Sequence, residues 1–377
     1  MSDDLADWAY LSRVAEGPCP ELAAMVTVYG PRETAARVRR LDVPDRLLSS
    51  VAARHMIDRG SEDLEIVSRL GGRLVTPDDE DWPAWQLQAF TMVDTKQQPN
   101  GREPLALWVL GEHSLPEATS RAVALVGTRA CTGYGEHVAG ELAAGLAARD
   151  MAVVSGAAFG IDGVAHRAAL ASDGLTVAVL AGGVDIPYPA SHSALLYRIA
   201  KHGLVVSEYP PGVRPARHRF LTRNRLVAAL SGATVVVEAG IRSGAANTAA
   251  WARALGRPVG AVPGPVTSTA SMGTNLEIAR RGAHLVGSAL DVIELAGSLG
   301  ELAPDPQRPE TVIDFLGEDE KRVYEALPGR GRASVHQLVV ESGLSAERVQ
   351  GALALLELEQ LVADVEGDWK ITRTSRR

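Results

Sequence analysis

Residues 122–162 read AVALVGTRACTGYGEHVAGELAAGLAARDMAVVSGAAFGID. Two short apolar runs, AVALV and MAVV, lie on either side of an alanine-rich amphipathic segment. Strands that are buried on both faces have such continuous apolar runs, and a helix between two of them is the unit from which parallel sheets are built. The stretch therefore predicts a strand, a helix and a second strand parallel to the first.

The same alternation continues toward the C-terminus. Apolar runs begin at residues 122, 151, 175, 203, 233, 258 and 284, with helical segments between them. Seven such strands predict an α/β fold with a Rossmann-like, doubly wound, mostly parallel sheet, which we place in residues 71–298. Glycine or a small polar residue follows nearly every run, and ligands bind beyond the carboxyl ends of the strands in these sheets. The strand ends are therefore the predicted site.

The flanking segments predict two further parts of the chain. Residues 1–70 are expected to form a small helical N-terminal domain, SAM-like or helix-hairpin-helix-like, with a glycine turn at Gly30. A strand-like piece, GGRLV, follows it. Residues 299–311 contain prolines and predict a linker. Residues 312–377 have the order helix, helix, helix and two short strands, which indicates a winged helix whose third helix Ser345 can cap.

Composition excludes several classes of protein. Cys19 and Cys131 are too few for a disulfide framework or a metal cluster, and the histidines are not spaced as metal ligands. No cofactor is expected, because the chain lacks both a Gly-Lys dipeptide and a dinucleotide-binding glycine fingerprint. The acidic N-terminus MSDDLADWAY lacks a signal-peptide pattern, and no apolar run is of bilayer length. We therefore expect no membrane segment and a cytoplasmic location.

The net charge of −8 argues against a polyanion ligand, since neutralising phosphates requires Lys and Arg. The charge is unevenly distributed, however. Residues 209–237 contain no Asp or Glu but include five arginines: Arg214, Arg217, Arg219, Arg223 and Arg225. Any site for a polyanion is expected there.

The first strand end, Gly127-Thr128-Arg129, precedes a helix that is predicted to begin near Tyr134. Backbone N–H groups at such a turn can hold an anion, and Arg129 adds a planar, permanently charged group that suits phosphate. A plain strand-to-helix turn with a surface arginine explains the same residues, and this motif alone leaves the two interpretations open.

The second strand end, Ser155-Gly156-Ala157, repeats this logic, with glycine for close approach and a serine hydroxyl as donor. Asp162 is predicted to cap the following helix, and His166 lies one turn further on. A catalytic pairing of Ser155 with His166 is conceivable. A helix cap and a structural histidine are favoured, because no third residue that would orient the histidine is evident.

The basic segment contains one aromatic residue among its arginines, in the order Phe220, Arg223, Asn224, Arg225. Single-stranded nucleic acid is bound in this way, with bases stacked on rings and phosphates held by cations. Phe220 could instead fill the core, with the arginines on a solvated face. Arg223 and Arg225 cannot both point one way on a helix, so one of them is expected to be structural. Arg217 is placed in the loop, free to contact a ligand.

A further helix N-terminus is predicted at Ser243-Gly244, which could hold an anion. Glu238 ends the preceding strand and would repel phosphate. We therefore interpret Glu238 as a structural acceptor for loop N–H groups or an arginine. Gly264, at the next strand end, could line the same crevice.

Together these motifs resemble one known family, the bacterial DNA-processing protein A family (DprA, also called Smf). The resemblance is densest over residues 123–286 and rests on motifs in one order: VGTRACTGYG, VVSGAAFGIDGVAHRAAL, VAVLAGGVDIPYPASH, GLVVSEYPPG, FLTRNRLVAALS, VVVEAGIRSGAANTA and GRPVGAVPGPV. It implies a single-stranded DNA-binding recombination mediator, not an enzyme, that loads the RecA recombinase during DNA uptake in natural transformation. It also implies a homodimer formed through the Rossmann-like core.

The resemblance also assigns roles to residues. Arg217 corresponds to a cationic DNA-contacting position and Phe220 to a base-contacting aromatic, while Arg223 and Asn224 belong to the same signature. Leu221 stands where the family often has proline. The phosphate-binding positions that it implies are Thr128, Arg129, Ser155, Gly156, Ser243 and Gly244.

Two other functions fit parts of the sequence. A nucleotide-processing enzyme of the Rossmann-like nucleoside-phosphate hydrolase type would also place glycines and a glutamate at strand ends, but it needs a PGGxGTxxE-type signature that EAGIRSGAANTA does not match. The second alternative is a protein-interaction scaffold with a vestigial pocket. The basic segment argues against it.

The winged helix is acidic, with nine Lys and Arg against twelve Asp and Glu from Thr311 onward. Its third helix carries Glu347, Glu357 and Glu359 against Arg348 alone, whereas a helix that reads duplex DNA should be basic. A protein contact or a structural role is therefore expected for this part of the chain.

Overall fold

A computed structural model of the 377-residue chain describes residues 3–241, 243–297 and 316–372. These residues fall into two compact units, one before and one after the segment 298–315. The predicted linker 299–311 lies outside the described residues. No helix in the described ranges is both long and apolar enough to span a membrane.

Four helices form the N-terminal part, as expected: α1 (Asp3–Ala15), α2 (Pro20–Arg40), α3 (Asp45–Val51) and α4 (Gly60–Arg69). Gly30 has a φ of 76° and kinks α2, which confirms the glycine turn. The buried faces of these helices share one core with strand residues such as Trp108 and Val205. The helices therefore cover one face of the sheet, and the boundary at residue 70 stays a prediction.

All seven predicted runs become strands, and two strands precede them. The strands are β1 (Gly72–Val75), β2 (Leu107–Leu110), β3 (Ala122–Gly127), β4 (Ala152–Ser155), β5 (Thr176–Leu180), β6 (Leu204–Ser207), β7 (Ala233–Glu238), β8 (Val259–Ala261) and β9 (His284–Leu285). They form one sheet in the order β1-β2-β6-β5-β4-β3-β7-β8-β9. Strands β3 to β9 pair in parallel, while β1 and β2 are antiparallel. The antiparallel strand β2 was not predicted from the sequence.

Helices cover both faces of this sheet. Val123 and Leu125 of β3 face one core, whereas Ala122, Ala124 and Val126 face another, as the alternation of side chains along a strand requires. Each such Val or Leu, when fully buried, contributes about 1.5–3 kcal/mol. The helices that follow α4 in this unit are α5 (Ala84–Leu87), α6 (Leu115–Ser120), α7 (Gly133–Ala147), α8 (Ile161–Ala171), α9 (Ser193–His202), α10 (Arg217–Ala229), α11 (Gly244–Ala254), α12 (Met272–Arg281) and α13 (Ala289–Ala296).

The C-terminal unit is a winged helix, as predicted. It contains α14 (Glu318–Ala326), α15 (Val335–Ser342) and α16 (Ala346–Leu358), with a sheet of β10 (Ala333–Ser334), β11 (Val362–Val365) and β12 (Asp368–Ile371). The hydroxyl of Ser345 accepts a hydrogen bond from the Arg348 N–H and caps α16, as expected. The guanidinium of Arg348 is paired with Asp319, so the cation of this helix is already neutralised.

Candidate functional site

The strand order reverses between β3 and β7, and a cleft opens beyond the carboxyl ends of these two strands. Ligands bind at such a reversal point in doubly wound sheets, because the loops on either side diverge there. The cleft has a volume of about 380 Å³ and is lined by Val126, Gly127, Thr128, Arg129, Gly156, Ala158, Asp162, Phe220, Leu221, Arg223, Asn224, Val227, Ser243, Gly244, Ala245 and Thr248. Nine of the twelve predicted site residues are among them.

The turn after β3 holds Arg129 at the mouth of the cleft. The Thr128 N–H donates to the Glu238 carbonyl (2.7 Å), and the Thr128 carbonyl accepts from the Ile161 N–H (3.2 Å). Arg129 is exposed, and its guanidinium lies over the ring of Phe220, 5.1 Å from the ring centre. The backbone of this turn is therefore fixed, while the cation that it carries faces solvent.

Glu238 has the structural role that its sequence position suggested. Its two carboxylate oxygens accept from the N–H (2.8 Å) and the hydroxyl (2.7 Å) of Thr132, the residue that caps α7. Gly135 is needed beside it, because a Cβ there would lie 2.5 Å from the Glu238 carboxylate. Glu238 therefore joins β7 to the start of α7 and leaves no carboxylate oxygen free of a hydrogen bond.

The turn after β4 differs from the prediction for Asp162. Gly160, with a φ of 74°, caps α8, and Asp162 is the second residue of the helix. The Asp162 carboxylate instead accepts from the N–H groups of Gly156 (3.2 Å) and Ala158 (3.4 Å). Burial raises the pKa of Asp162, which the charge of Arg223 and these N–H groups oppose. The expected anion-binding amides of this turn are thus already occupied by a carboxylate of the chain.

Two predicted residues of the same turn lie outside the cleft lining. The Ser155 hydroxyl is fully buried and donates to the Leu125 carbonyl (2.6 Å), so it cannot donate to a ligand. The Ala157 carbonyl faces a ring nitrogen of His192 (3.0 Å). His166 contacts Thr176 through Nδ1 (2.7 Å) and makes no hydrogen bond to Ser155. The catalytic pairing of Ser155 with His166 is therefore absent, and the structural interpretation of His166 is correct.

Arg223 is a buried cation at the wall of the cleft, with only 4% of its surface exposed. Its Nη1 donates to the Val179 carbonyl (2.7 Å), while Nε has no hydrogen-bond partner within the described residues. Burial lowers the pKa of Arg223 to about 10, a shift that nearby Asp162 opposes and Arg129 reinforces. Arg223 therefore stays charged at neutral pH, and a cation in the wall of the cleft favours an anionic ligand.

One of Arg223 and Arg225 was expected to be structural, and that residue is Arg225. It is fully buried and donates two hydrogen bonds to Glu208, at 3.0 and 2.7 Å. Breaking such a buried pair costs about 3–5 kcal/mol, because a charge is left without a partner. Asn224, between the two arginines, donates to Asn247 (3.1 Å) and the Gly244 carbonyl (3.4 Å), and so joins α10 to the start of α11.

Phe220 is neither part of the core nor freely exposed. Phe220 is partly buried; its ring contacts the Arg129 guanidinium and the ring of Tyr188, whose centre lies 5.3 Å away. Arg217 is exposed but does not line the cleft, and it is the first residue of α10, not part of the loop as predicted. Phe220 lies one helical turn further along α10, so Arg217 lies near the mouth of the cleft.

The start of α11 forms the opposite wall. The Ser243 hydroxyl accepts from the Ala246 N–H (3.2 Å) and caps the helix, whose first two residues, Gly244 and Ala245, line the cleft. The positive end of the helix dipole adds to the charge of the two arginines. Gly264 does not line the cleft; it packs against Ser271 and exchanges hydrogen bonds with Asn275.

The residues at the site that were not predicted from the sequence include Val227, Thr248 and Tyr188. Val227 and Thr248 line the cleft one helical turn after Arg223 and Gly244, a spacing that could have identified them once the helices were placed. Tyr188 follows β5 in a loop and reaches Phe220 only through the fold. No local signal in the sequence indicates that contact.

Fold and site together define a class of protein: a Rossmann-like α/β protein with a cationic cleft at the reversal point of its sheet, followed by a winged helix. Comparison with known proteins makes the class specific. The family profile described as DNA recombination-mediator protein A matches residues 73–297, and that of the DprA winged helix domain matches residues 299–368. A DNA processing protein DprA of Mycobacterium tuberculosis is 61% identical over 366 residues, which are 97% of this chain and 94% of that protein.

Solved structures agree with this assignment. DNA processing protein A from Streptococcus pneumoniae aligns with a TM-score of 0.63 and 28% identity, over 78% of this chain and 98% of that one. The Helicobacter pylori protein, described for its single-stranded DNA binding mode, aligns with a TM-score of 0.50 and 28% identity, over 59% of this chain and 94% of that one. The chain belongs to the DNA recombination-mediator protein A family, the DprA or Smf proteins.

Proposed function

We propose that this chain is a non-enzymatic recombination mediator that binds single-stranded DNA in the cleft between β3 and β7. The observation that carries the proposal is the convergence of Arg129, Arg223 and the start of α11 on one cleft at the reversal point of the sheet. The Helicobacter pylori relative, with its single-stranded DNA binding mode, supports the choice of ligand.

The charges in the cleft favour a phosphate ligand. Each carboxylate near it already accepts hydrogen bonds from the chain: Asp162 from Gly156 and Ala158, and Glu238 from Thr132. The exposed guanidinium of Arg129 is left for an anion from outside, and the charge of the buried Arg223 side chain in the wall of the cleft attracts the same anion. Contacts of this kind reach the backbone of a nucleic acid and read no bases, so we expect little sequence preference.

The same hydrogen bonds argue against a nucleoside-phosphate hydrolase. A hydrolase needs a carboxylate that can activate water or bind a metal ion. Glu238 lies under the turn with both oxygens bound to Thr132, and Asp162 is 7% exposed and held by backbone amides. Neither is available for this role in the described structure.

Three further parts of the proposal rest on the family. The protein loads the RecA recombinase onto the bound strand, acts during DNA uptake in the cytoplasm, and forms a homodimer through its Rossmann-like core. Size-exclusion chromatography with light scattering tests the dimer. RecA filament formation on oligonucleotides covered by single-strand binding protein tests the loading.

Fluorescence anisotropy of a labelled oligo-dT, measured over a salt series, tests the central proposal. The variants are Arg129→Ala and, as a matched control that removes the same charge elsewhere, Arg198→Ala on α9, which lines a separate cleft. We expect wild type and Arg198→Ala to bind oligo-dT more tightly than duplex DNA and to weaken steeply with salt, because phosphate contacts release counterions. Arg129→Ala should lose most of the affinity. Absence of wild-type binding at low salt, or equal effects of the two variants, would refute the proposed site.

A further inference from the structure

Two large aromatic side chains lie exposed beside the cleft without lining it. Phe159, in the loop before α8, is 49% exposed, and Tyr188, in the loop after β5, is 46% exposed. Single-stranded nucleic acid is bound where such rings accompany cations, because every base has a face that can stack on a ring.

The two residues belong to one surface around Arg129. Tyr188 contacts Phe220, and Phe220 carries the Arg129 guanidinium on its ring. On the other side, a Cβ on Gly160 would lie 2.2 Å from the Thr128 carbonyl and 2.9 Å from the Arg129 Cα, so the loop that holds Phe159 packs directly on the Arg129 turn. We call Phe159, Tyr188 and Phe220 the aromatic ledge.

The three rings of the ledge differ in their freedom to stack. Phe220 is partly buried and has the Arg129 guanidinium over one face, so its ring holds that cation in place. Phe159 meets His192 edge to face, with ring centres 5.1 Å apart, and Tyr188 meets Phe220 at an angle of 53°. Phe159 and Tyr188 each keep about half of their surface in solvent, which leaves room for a base.

Cations flank the ledge on both sides. Arg217 is exposed at the start of α10, near Phe220. Arg167 is exposed on α8 near His192, since a Cβ on Gly163 would lie 2.8 Å from the His192 ring and 3.2 Å from the Arg167 guanidinium. A strand that crosses the ledge would therefore find cations for its phosphates at either end.

We propose that Tyr188 and Phe159 stack bases of the strand where it leaves the cleft, while Phe220 positions Arg129. The inference rests on the proposed function, because it assigns a path to the strand that the cleft binds. It adds two base contacts to the one that the resemblance implies for Phe220.

The test measures the affinity of the protein for two single-stranded ligands of equal length. One is oligo-dT, and the other has abasic sites in place of every nucleotide except the labelled one. The variants are Tyr188→Leu and Phe159→Leu, which keep apolar bulk and remove the ring, together with Tyr188→Phe, which keeps it. Tyr197→Leu on α9 is the matched control, since Tyr197 is 67% exposed and lies beside a cation, Lys201.

We expect each leucine variant of the ledge to bind oligo-dT about 5- to 100-fold more weakly, which is the range for loss of one stacked base. Both should bind the abasic oligomer as wild type does, because phosphate contacts are intact. Tyr188→Phe and Tyr197→Leu should match wild type on both ligands, and thermal melts should show all four variants folded.

The inference is overturned if wild type binds oligo-dT and Arg129→Ala loses binding, but the leucine variants bind as wild type or weaken equally on both ligands. Failure of the proposed function has a different signature, in which wild type itself does not bind oligo-dT. If a leucine variant is unfolded, Phe159→Ile and Tyr188→Met replace it under the same criteria.

Discussion

The guanidinium of Arg223 occupies the space that a side chain on Gly156 would need. A Cβ on Gly156 would lie 1.7 Å from Nη1 of Arg223, closer than any real contact. Glycine at the end of β4 is therefore required by a cation from α10, and not only by close approach of a ligand to the backbone. This contact connects two motifs that lie 67 residues apart in the sequence.

We expect Gly156→Ala to displace Arg223 from the Val179 carbonyl and from the cleft. Overpacking of this kind costs about 1–3 kcal/mol, and affinity for oligo-dT should fall at least tenfold. Chemical denaturation and anisotropy measure the two effects. The control is Gly140→Ala in α7, where an added Cβ meets nothing within 4 Å; it should stabilise the protein by about 0.5–1 kcal/mol and leave binding unchanged. Equal behaviour of the two variants would contradict the packing argument.

Arg217 and Arg219 lie two residues apart but should respond differently to removal. Arg217 is exposed at the start of α10, so Arg217→Ala should weaken oligo-dT binding and lower the salt slope by about one, as expected for one lost phosphate contact. Arg219 is paired with Glu16 and lies 5.5 Å from the ring centre of Tyr209. Arg219→Ala should mainly lower the free energy of unfolding. A larger loss of DNA affinity in Arg219→Ala than in Arg217→Ala would reverse these assignments.

His166 should make stability depend on pH. It is fully buried, and burial lowers its pKa from the ordinary 6.5 to about 3. Between these values the unfolded chain binds a proton that the folded chain does not, so stability falls as pH falls through this window, by up to about 1.4 kcal/mol per pH unit.

Urea denaturation between pH 7 and pH 4 tests this dependence. His166→Gln should lose less stability than wild type over the series, whereas the control His137→Gln, on an exposed side of α7, should follow wild type. If the free energy of unfolding changes equally with pH in wild type and in His166→Gln, His166 does not cause the pH dependence of stability.

The winged helix should contribute little to duplex binding. Glu347 and Glu357 lie on α16, and its one cation, Arg348, is paired with Asp319. We expect Arg348→Ala to leave the affinity of the full chain for duplex DNA within about twofold at low salt, since a paired cation releases few counterions. A markedly larger loss, absent in the matched Arg332→Ala on the same unit, would show that α16 binds duplex DNA.

The sequence by itself determined the layout of this protein. The alternation of apolar runs and helical segments defined the parallel sheet, because strands buried on both faces need continuous apolar residues. The residues after each run placed the site at the strand ends, where the first turn carries Arg129, and the acid-free segment 209–237 supplied Arg223. The antiparallel β2 was missed, since one short apolar run among loops has no periodicity to distinguish it.

Only the tertiary structure decided which of these residues face a ligand. Several predicted ligand groups are occupied by hydrogen bonds within the chain. Arg225 donates to Glu208, and the Ser155 hydroxyl donates to the Leu125 carbonyl. The N–H groups of Gly156 and Ala158 donate to the Asp162 carboxylate. Tyr188 is brought to Phe220 from a different loop. Hydrogen-bond partners and burial come from parts of the chain that are distant in sequence, so local spacing specifies that a polar group needs a partner but not which group provides it.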